Sequence, residues 1–439
     1  MDIEQSKQPA PPGNFVTADA PGYDSLLQCM RCGFCLPSCP TFQLTGRERS
    51  SPRGRVAMAR AIAEKKLDLT AAMKEEAFFC LDCRACTSAC PSGVQAGSIM
   101  EHCRSQVARQ DGVSLSPARQ LRAFVLEKML PSPGLMKNSL VVARLYQRLG
   151  LQWLVRRTGV LSLGPQWLGK AEQMLPWLEK PLSDGLAELT PARGEKRGRV
   201  GFFLGCVMNL MFAEVSSQTV RVLAHQGFDV VTPGKQKCCG APHLSEGDPI
   251  TARKLAVANI ELFMAQDVDY IITDCAGCGA ALKDYKKMLE GYYDEATLHA
   301  FSAKIRDVSE FLAEQGLRSA DLIPQPVSVT YHDPCHLAHA QQITAAPRIL
   351  IKAIPGVELR EMNESDWCCG SAATFGLKYV DASHKILKRK LANIAATNAD
   401  LLITANPGCQ LQLAWGLKKA DMQQQLLHIM QLLGQATPV

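Results

Sequence analysis

Eight cysteines near the start of the chain stand at the spacing that wraps iron-sulfur cubanes. Cys29, Cys32, Cys35 and Cys39-Pro40 follow C-x2-C-x2-C-x3-C-P, and Cys80, Cys83, Cys86 and Cys90-Pro91 repeat it. Three thiolates this close together let the backbone fold around one [4Fe-4S] cluster and donate amide hydrogens to its sulfides. The fourth cysteine, turned away by the following proline, reaches the other cluster. The spacing therefore assigns Cys29, Cys32, Cys35 and Cys90 to one cluster, and Cys80, Cys83, Cys86 and Cys39 to the second. Structural zinc takes cysteine pairs from separated strands and matches two such triads poorly. The stretch Ser51-Pro52-Arg53-Gly54-Arg55 has two readings: positive charge near a cluster, which would raise its potential, or a helix start with Ser51 as cap and Pro52 in the first turn. Cys103, outside both motifs, reads as a buried, inert thiol.

The remaining cysteines expose an internal repeat. Cys206, Cys238, Cys239 and Cys278 recur as Cys335, Cys368, Cys369 and Cys409, at offsets of 129, 130, 130 and 131 residues. The text around them agrees: KCCGAPH matches WCCGSAA, and YIITDCAGC matches LLITANPGC. The first copy offers five sulfurs, because Cys275 completes a C-x-x-C pair with Cys278. In the second copy Asn406 stands where Cys275 does, leaving four. Adjacent cysteines can share a site only if the backbone bends sharply, which Gly240 allows. An iron-sulfur cluster, zinc and unligated thiols remain open for both copies. His243, His332, His336 and His339 lie near these cysteines and could supply a ligand or move protons, although histidines in such places are more often structural.

The elements that must position these groups follow from pattern. Between Ser25 and Arg109, cysteine clusters alternate with helix-like stretches at Arg55 to Lys66 and Leu69 to Phe79. From Leu115 to Asp184 runs a cysteine-free helical region carrying Trp153, Trp167 and Trp177 and interrupted by Pro131, Pro133 and Pro165. After a basic, Gly-containing linker at Pro191 to Arg199, short β-branched runs at Val200 to Leu204, Asp229 to Thr232, Tyr270 to Thr273, Val327 to Tyr331 and Leu401 to Thr404 alternate with helical patterns. Parallel βαβ units are expected, with the cysteines following the strand ends, where open α/β sheets place their sites. The expected fold class is therefore a multidomain α+β and α/β chain. Residues 1–22 are a flexible leader, 23–110 a helical two-cluster ferredoxin domain and 111–198 a helical connector and linker. Residues 199–325 form the first cysteine-rich domain, and 326–439 the second with a C-terminal helix.

Bulk properties exclude several classes. The 439 residues are 47% apolar and 21% charged with a net charge of +6, which suits a folded protein and gives nucleic acid no basic, aromatic-laced track. Eighteen cysteines at ligand spacings argue for metal rather than disulfides. The polar start, Met1 to Gly13, lacks the apolar core of a signal peptide, so the expected location is the cytoplasm, with a peripheral place on the cytoplasmic face of the inner membrane as an option. No apolar run reaches the length of a membrane span; the nearest, Leu140 to Val155, is broken by Arg144 and Arg148.

The five-sulfur arrangement of Cys206, Cys238, Cys239, Cys275 and Cys278 resembles the cysteine-rich CCG domains of heterodisulfide reductase, in which five such cysteines can hold a non-cubane [4Fe-4S] cluster. Taken whole, residues 25 to 430 resemble the iron-sulfur subunits of bacterial glycolate oxidase, most closely in CMRCGFCLPSCPTFQLTG, SPRGR, CLDCRACTSACPSGV, CCGSAATF and TANPGCQLQL. The resemblance implies a partner subunit that oxidises glycolate to glyoxylate on FAD, while this chain passes single electrons through its clusters to a quinone. The sequence agrees in one respect: no G-x-G-x-x-G follows an expected strand, so the flavin belongs on another subunit. No catalytic carboxylate or nucleophile is expected here. Relatives with this layout serve lactate and anaerobic glycerol-3-phosphate dehydrogenases, which keeps those donors open. A metal-binding scaffold or redox sensor is the alternative from another class. The Trp-bearing region could pack on the partner, lie on a membrane surface or be a plain linker.

Overall fold

The computed structural model describes residues 12–110, 120, 122–178 and 180–438. Its N-terminal part is built from helices. Pro52–Ala63 starts as its sequence predicts: the Ser51 side chain accepts from Gly54 N at 2.9 Å and Pro52 occupies the first turn. Val56, Ala59 and Ile62, three apart on one face, pack with Met73 and Ala77 of Ala71–Phe79 and with Ile99, Met100 and Cys103 of Ala96–Gln110.

The leader differs from expectation. Residues 1–11 lie outside the described residues, but from residue 12 onward the chain is fastened to this helical unit rather than free. Phe15 is buried in its core, Asn14 N donates to Ile62 O at 3.0 Å, and the Val16 and Thr17 amides both donate to Gln106 Oε1 at 2.8 Å. Asp19 pairs with Arg253 of the first cysteine-rich repeat. One buried aromatic and these amide contacts outweigh the disorder-promoting prolines that precede them.

The second half contains two sheets of the same design. The first comprises β1 (Leu189–Thr190), β2 (Gly198–Phe202), β3 (Phe228–Val231), β4 (Tyr270–Thr273) and β5 (Ile305–Asp307), in the order β1-β3-β2-β4-β5. The second comprises β6 (Val327–Tyr331), β7 (Val357–Leu359), β8 (Leu401–Thr404) and β9 (Gln425–His428), in the order β7-β6-β8-β9. All pairings are parallel except that of β1, which lies antiparallel on β3. The order β3-β2-β4-β5 is thus repeated as β7-β6-β8-β9. Cysteine loops follow β2, β3 and β4 in one copy and β6, β7 and β8 in the other; the winding direction reverses between β2 and β4 and between β6 and β8, where neighbouring loops part to leave a crevice. The copies share much of their interior, although the second also has a cluster of its own around Leu387, Leu402 and Leu413. One apolar core runs from Val200, Phe202 and Ile272 of the first sheet to Val329, Tyr331 and Ile403 of the second.

The connector is helical, including Pro133–Arg148, Leu151–Thr158 and Gln166–Met174. It is anchored to the second repeat by Lys170, whose buried ammonium donates to Gly376 O at 2.8 Å and Ser383 Oγ at 2.9 Å, and by Gln173, which accepts from Trp415 Nε1 at 3.1 Å. Trp153, Trp177 and Leu163 remain exposed. Among the described residues, no helix is long and apolar enough to cross a membrane.

Glu246 ties connector and both repeats together. It lies in the first repeat, is 2% exposed, and faces Arg122 of the connector at 2.7 Å and Lys378 of the second repeat at 2.8 Å; Thr374 also donates to it. Burial opposes its charge, but Lys378, Thr374 and Arg122 outweigh burial and hold its carboxyl below the usual range. A depressed carboxyl stabilises the fold above its unfolded pKa, and that contribution is lost as pH falls through the folded value. Arg122 and Lys378 each keep about a third of their side chains in solvent, so Glu246→Gln is expected to cost about 1–3 kcal/mol and to flatten the acid limb of stability below about pH 4.5. Thermal midpoints from pH 3 to 7, read with hydrogen exchange at the junction, check this; an unchanged midpoint would exclude the role.

Candidate iron-sulfur and metal sites

Two cavities lie side by side in the N-terminal unit. Cys29, Cys32, Cys35 and Cys90 line the first; Cys39, Cys80, Cys83 and Cys86 line the second. Each therefore gathers three cysteines of one motif and the fourth of the other. Pro52, Cys86 and Ala96 line both and form the wall between them. The shared wall follows from Pro40 and Pro91, which begin new turns and send Cys39 and Cys90 across. Soft sulfur donors converging on an apolar hollow fit a cubane, whose charge is met by amides and thiolates rather than by water. The cavities differ in exposure. The first opens to the surface between Met30 and Phe34, each about two-thirds exposed, whereas Cys39 and Cys83 are buried.

Ser51-Pro52-Arg53-Gly54-Arg55 opens the helix Pro52–Ala63, which bears out the helix-start reading. The stretch also aims a guanidinium at each cavity. Arg53 lines the first, donates to Arg31 O at 3.0 Å and pairs with Glu48 at 2.6 Å. Arg55 lines the second while only 2% exposed. It donates to Glu76 Oε2 at 3.1 Å, Glu76 O at 3.0 Å and Thr41 Oγ1 at 3.0 Å, and Thr41 Oγ1 sits 3.3 Å from Cys39 Sγ. Burial works against its charge, but the sulfurs of Cys80 and Cys39 together with Glu76 prevail and keep it firmly protonated.

Two further basic residues, which no motif marked, frame the second cavity. Arg104 donates to Cys80 O at 2.5 Å, Ala77 O at 2.9 Å and, in the first repeat, Ser245 O at 3.1 Å. Arg84 bridges Glu101 at 3.3 Å and Asp284 of the first repeat at 2.5 Å. Burial and Asp82 push the Glu101 carboxyl up to about 8 despite Arg84. Cys103, as expected, is buried, and burial pushes its thiol up.

In the first repeat the five cysteines gather at the sheet crevice. Cys206 opens a helix after β2, and Cys275 caps the helix after β4, its Sγ accepting from Cys278 N at 3.4 Å. Cys206 and Cys238 lie 3.7 Å apart at sulfur, and Cys239 accepts from Cys238 and Cys278, which pulls its thiol down to about 6. Gly240 has φ +85°, as does Gly370 after the second Cys-Cys pair, so both bends use the left-handed backbone that glycine tolerates.

In the second repeat Cys369 and Cys409 are 3.6 Å apart, and Cys335 accepts from Cys368, which holds the Cys335 thiol well below its ordinary value. Cys368 and Cys335 share an apolar cluster with Cys83, so this site abuts the second cavity. Asn406 sits between the repeats: its amide donates to Cys409 Sγ at 3.6 Å and its carbonyl accepts from Gly277 N at 3.1 Å.

The four histidines part company. His243 Nε2 bonds Leu126 O at 2.7 Å, and His339 bonds Ser88 Oγ at 3.2 Å; both serve packing between units. His336 Nδ1 lies 3.7 Å from Cys335 Sγ. His332 is fully buried, and its ring lies among Cys369 and Cys409.

Comparison with known proteins agrees with this division. The 4Fe-4S dicluster domain model matches residues 25–94, and the cysteine-rich CCG domain model matches 200–283 and 329–414. The model for the linker region of the glycolate oxidase iron-sulfur subunit matches 117–175. The chain is 39% identical over 421 residues to the probable glycolate oxidase iron-sulfur subunit of Bacillus subtilis, covering 94% of each. The chain belongs to the family of glycolate oxidase iron-sulfur subunits. It is also 30% identical to the family member of Escherichia coli, across 89% of this chain and 90% of that one. A shorter stretch, 54% of this chain, is 30% identical to the lactate utilization protein A of Shouchella clausii and spans 98% of that protein. Iron-sulfur clusters are accordingly its cofactors.

The Cys-Cys-Gly bends offer a direct test. A Cβ on Gly370 would sit 2.8 Å from Ser383 O, whereas Gly46, with φ +62°, has nothing within 4 Å of such an atom. Gly46→Ala is expected to cost about 1–2 kcal/mol for its backbone alone, and Gly370→Ala more, with loss of metal from the second repeat. Thermal midpoints and metal counts of the pair check the order.

Proposed function

We propose that the chain is the electron conduit of a flavin-dependent glycolate oxidase. Cys29, Cys32, Cys35 and Cys90 hold one [4Fe-4S] cluster, and Cys80, Cys83, Cys86 and Cys39 the other. The observation that carries this is the crossed lining of two adjoining cavities, each with one complete thiolate quartet. Bound there, the clusters supply one-electron transfer, which splits the two-electron oxidation of a 2-hydroxy acid on a partner's FAD into single steps to a quinone-type acceptor. The protein's part is placement and tuning. The shared wall keeps the sites close; Arg53 and Arg55 hold positive charge beside them, favouring the reduced state. The first cavity, opening between Met30 and Phe34, offers the exposed edge for exchange with a flavin subunit. Cys206, Cys238, Cys239, Cys275 and Cys278 form a further iron-sulfur site, and Cys335, Cys368, Cys369 and Cys409 a metal site.

The choice of glycolate is supported by near full-length similarity to two glycolate oxidase iron-sulfur subunits. It is tested by dye reduction with the complex captured anaerobically from its own cells, comparing glycolate, D-lactate, L-lactate and glycerol 3-phosphate. Activity with glycolate that survives with an artificial dye but fails with a quinone in Cys32→Ser or Cys83→Ser is expected. Activity only with another donor would move the protein to a sister branch, and none at all would favour a scaffold.

A second expectation concerns tuning. Arg53→Gln removes the cation beside the first cavity without opening the buried Arg55–Glu76 pair. The midpoint potential of one cluster should fall by tens of millivolts while the other barely moves. A redox titration followed by electron paramagnetic resonance reads both; equal shifts would contradict the assignment.

A further inference from the structure

The two repeats have exchanged ligands. Cys275 of the first is replaced by Asn406 in the second, which costs a sulfur. At the offset that relates Cys206 to Cys335, Phe203 of the first repeat becomes His332 of the second. The positions are structurally equivalent: Phe203 N donates to Ile272 O at 2.8 Å in one sheet, and His332 N to Ile403 O at 2.9 Å in the other. Both side chains are fully buried. A phenyl ring there is ordinary core. An imidazole is not, because neither Nδ1 nor Nε2 of His332 makes a hydrogen bond. A buried polar ring without a partner is destabilising unless something else takes its lone pair.

What it faces is sulfur. One His332 nitrogen and the sulfurs of Cys369 and Cys409 all lie within 4.8 Å of one another, and the two sulfurs are 3.6 Å apart. Thiolates on one tetrahedral zinc, with Zn–S near 2.3 Å, stand about 3.8 Å apart. The same two positions in the first repeat, Cys239 and Cys278, neighbour Cys275. His332 thus brings a nitrogen donor to the pair of sulfurs whose first-repeat counterparts lie beside Cys275.

We infer that the second repeat holds a single tetrahedral zinc ion through His332, Cys369, Cys409 and one thiolate of the Cys335–Cys368 pair. This rests on the reading of the second-repeat cysteines as metal ligands and adds the ion's identity and a nitrogen donor. Closely spaced donors and one imidazole fit a mononuclear ion better than a cluster, whose ligands spread around several irons. Zinc does not change oxidation state, so its work here is to lock the crevice of the second sheet beside Cys83. Asn406, freed from ligation, spans the gap to the first repeat instead.

The test uses the full chain purified anaerobically within its complex. Wild type should contain about one zinc per chain beside its iron. His332→Ala should lose zinc to a chelator at least about tenfold more readily, and His332→Cys should retain it. Co2+ exchanged into wild type should give the visible bands of a tetrahedral thiolate-imidazole site, altered in His332→Cys. Unchanged resonance signals from the N-terminal clusters in all variants show that the fold survives and separate this question from the electron-transfer reading. Equal zinc retention in wild type and His332→Ala would overturn the inference. So would wild type without zinc, including a chain with about four more irons in its place.

Discussion

The molecule depends on one constraint: two short cysteine motifs, some fifty residues apart, must each surrender a thiol to the other's hollow. Cys39 and Cys90 can cross only if the cavities share a wall, and Pro52, Cys86 and Ala96 are that wall. Pro52 opens a helix and Ala96 begins another, so the helical core of the N-terminal unit is anchored from the same wall. The buried Arg55 follows from the same crowding. It compensates sulfur-rich surroundings, is itself compensated by Glu76, and fixes Thr41 beside Cys39. Replacing any one of these groups leaves the others charged or unpaired in a dry interior, where the penalty is several kcal/mol.

The sheet repeats answer a different requirement. An open parallel sheet parts its loops where the winding reverses, and both copies put their cysteines at that crevice. The copies differ in detail. The first carries five sulfurs; the second has Asn406 in place of one, carries the buried imidazole of His332, and lies against Cys83 of the N-terminal unit. Arg84, Arg104 and Glu246 hold the three units in register, so the sulfur-lined sites occupy one continuous body.

Much of this was legible in the residues. The Cys-x2-Cys-x2-Cys-x3-Cys-Pro spacing is a local code and named the quartets that line the cavities. The offsets of the second half revealed the repeat; three of the five β-branched runs share the bounds of β4, β6 and β8, and the other two overlap β2 and β3 with shifts of two residues and one. Four edge strands went unread: Leu189–Thr190, Ile305–Asp307 and Val357–Leu359 carry too few residues for a pattern to register, and Gln425–His428, as long as β3, has no β-branched residue. The leader misled because prolines at 9, 11 and 12 spoke for disorder, while Phe15 docks on a helix distant in sequence. His332 was visible only as one histidine of four. Its distinction is spatial, and a strict register between the repeats, setting it against Phe203, is the signal that could have found it. Long-range ion pairs such as Arg84–Asp284 carry no local pattern at all.

Under the proposed function, electrons leave a partner's flavin through the two quartets. The most direct measurement is low-temperature electron paramagnetic resonance of the anaerobic complex, frozen at intervals after glycolate is added. Signals of two magnetically interacting reduced [4Fe-4S] clusters are expected to grow as the flavin is reduced and to decay when a quinone is supplied. Flavin reduction with both clusters remaining oxidised, and quinone still reduced at the full rate, would contradict that function.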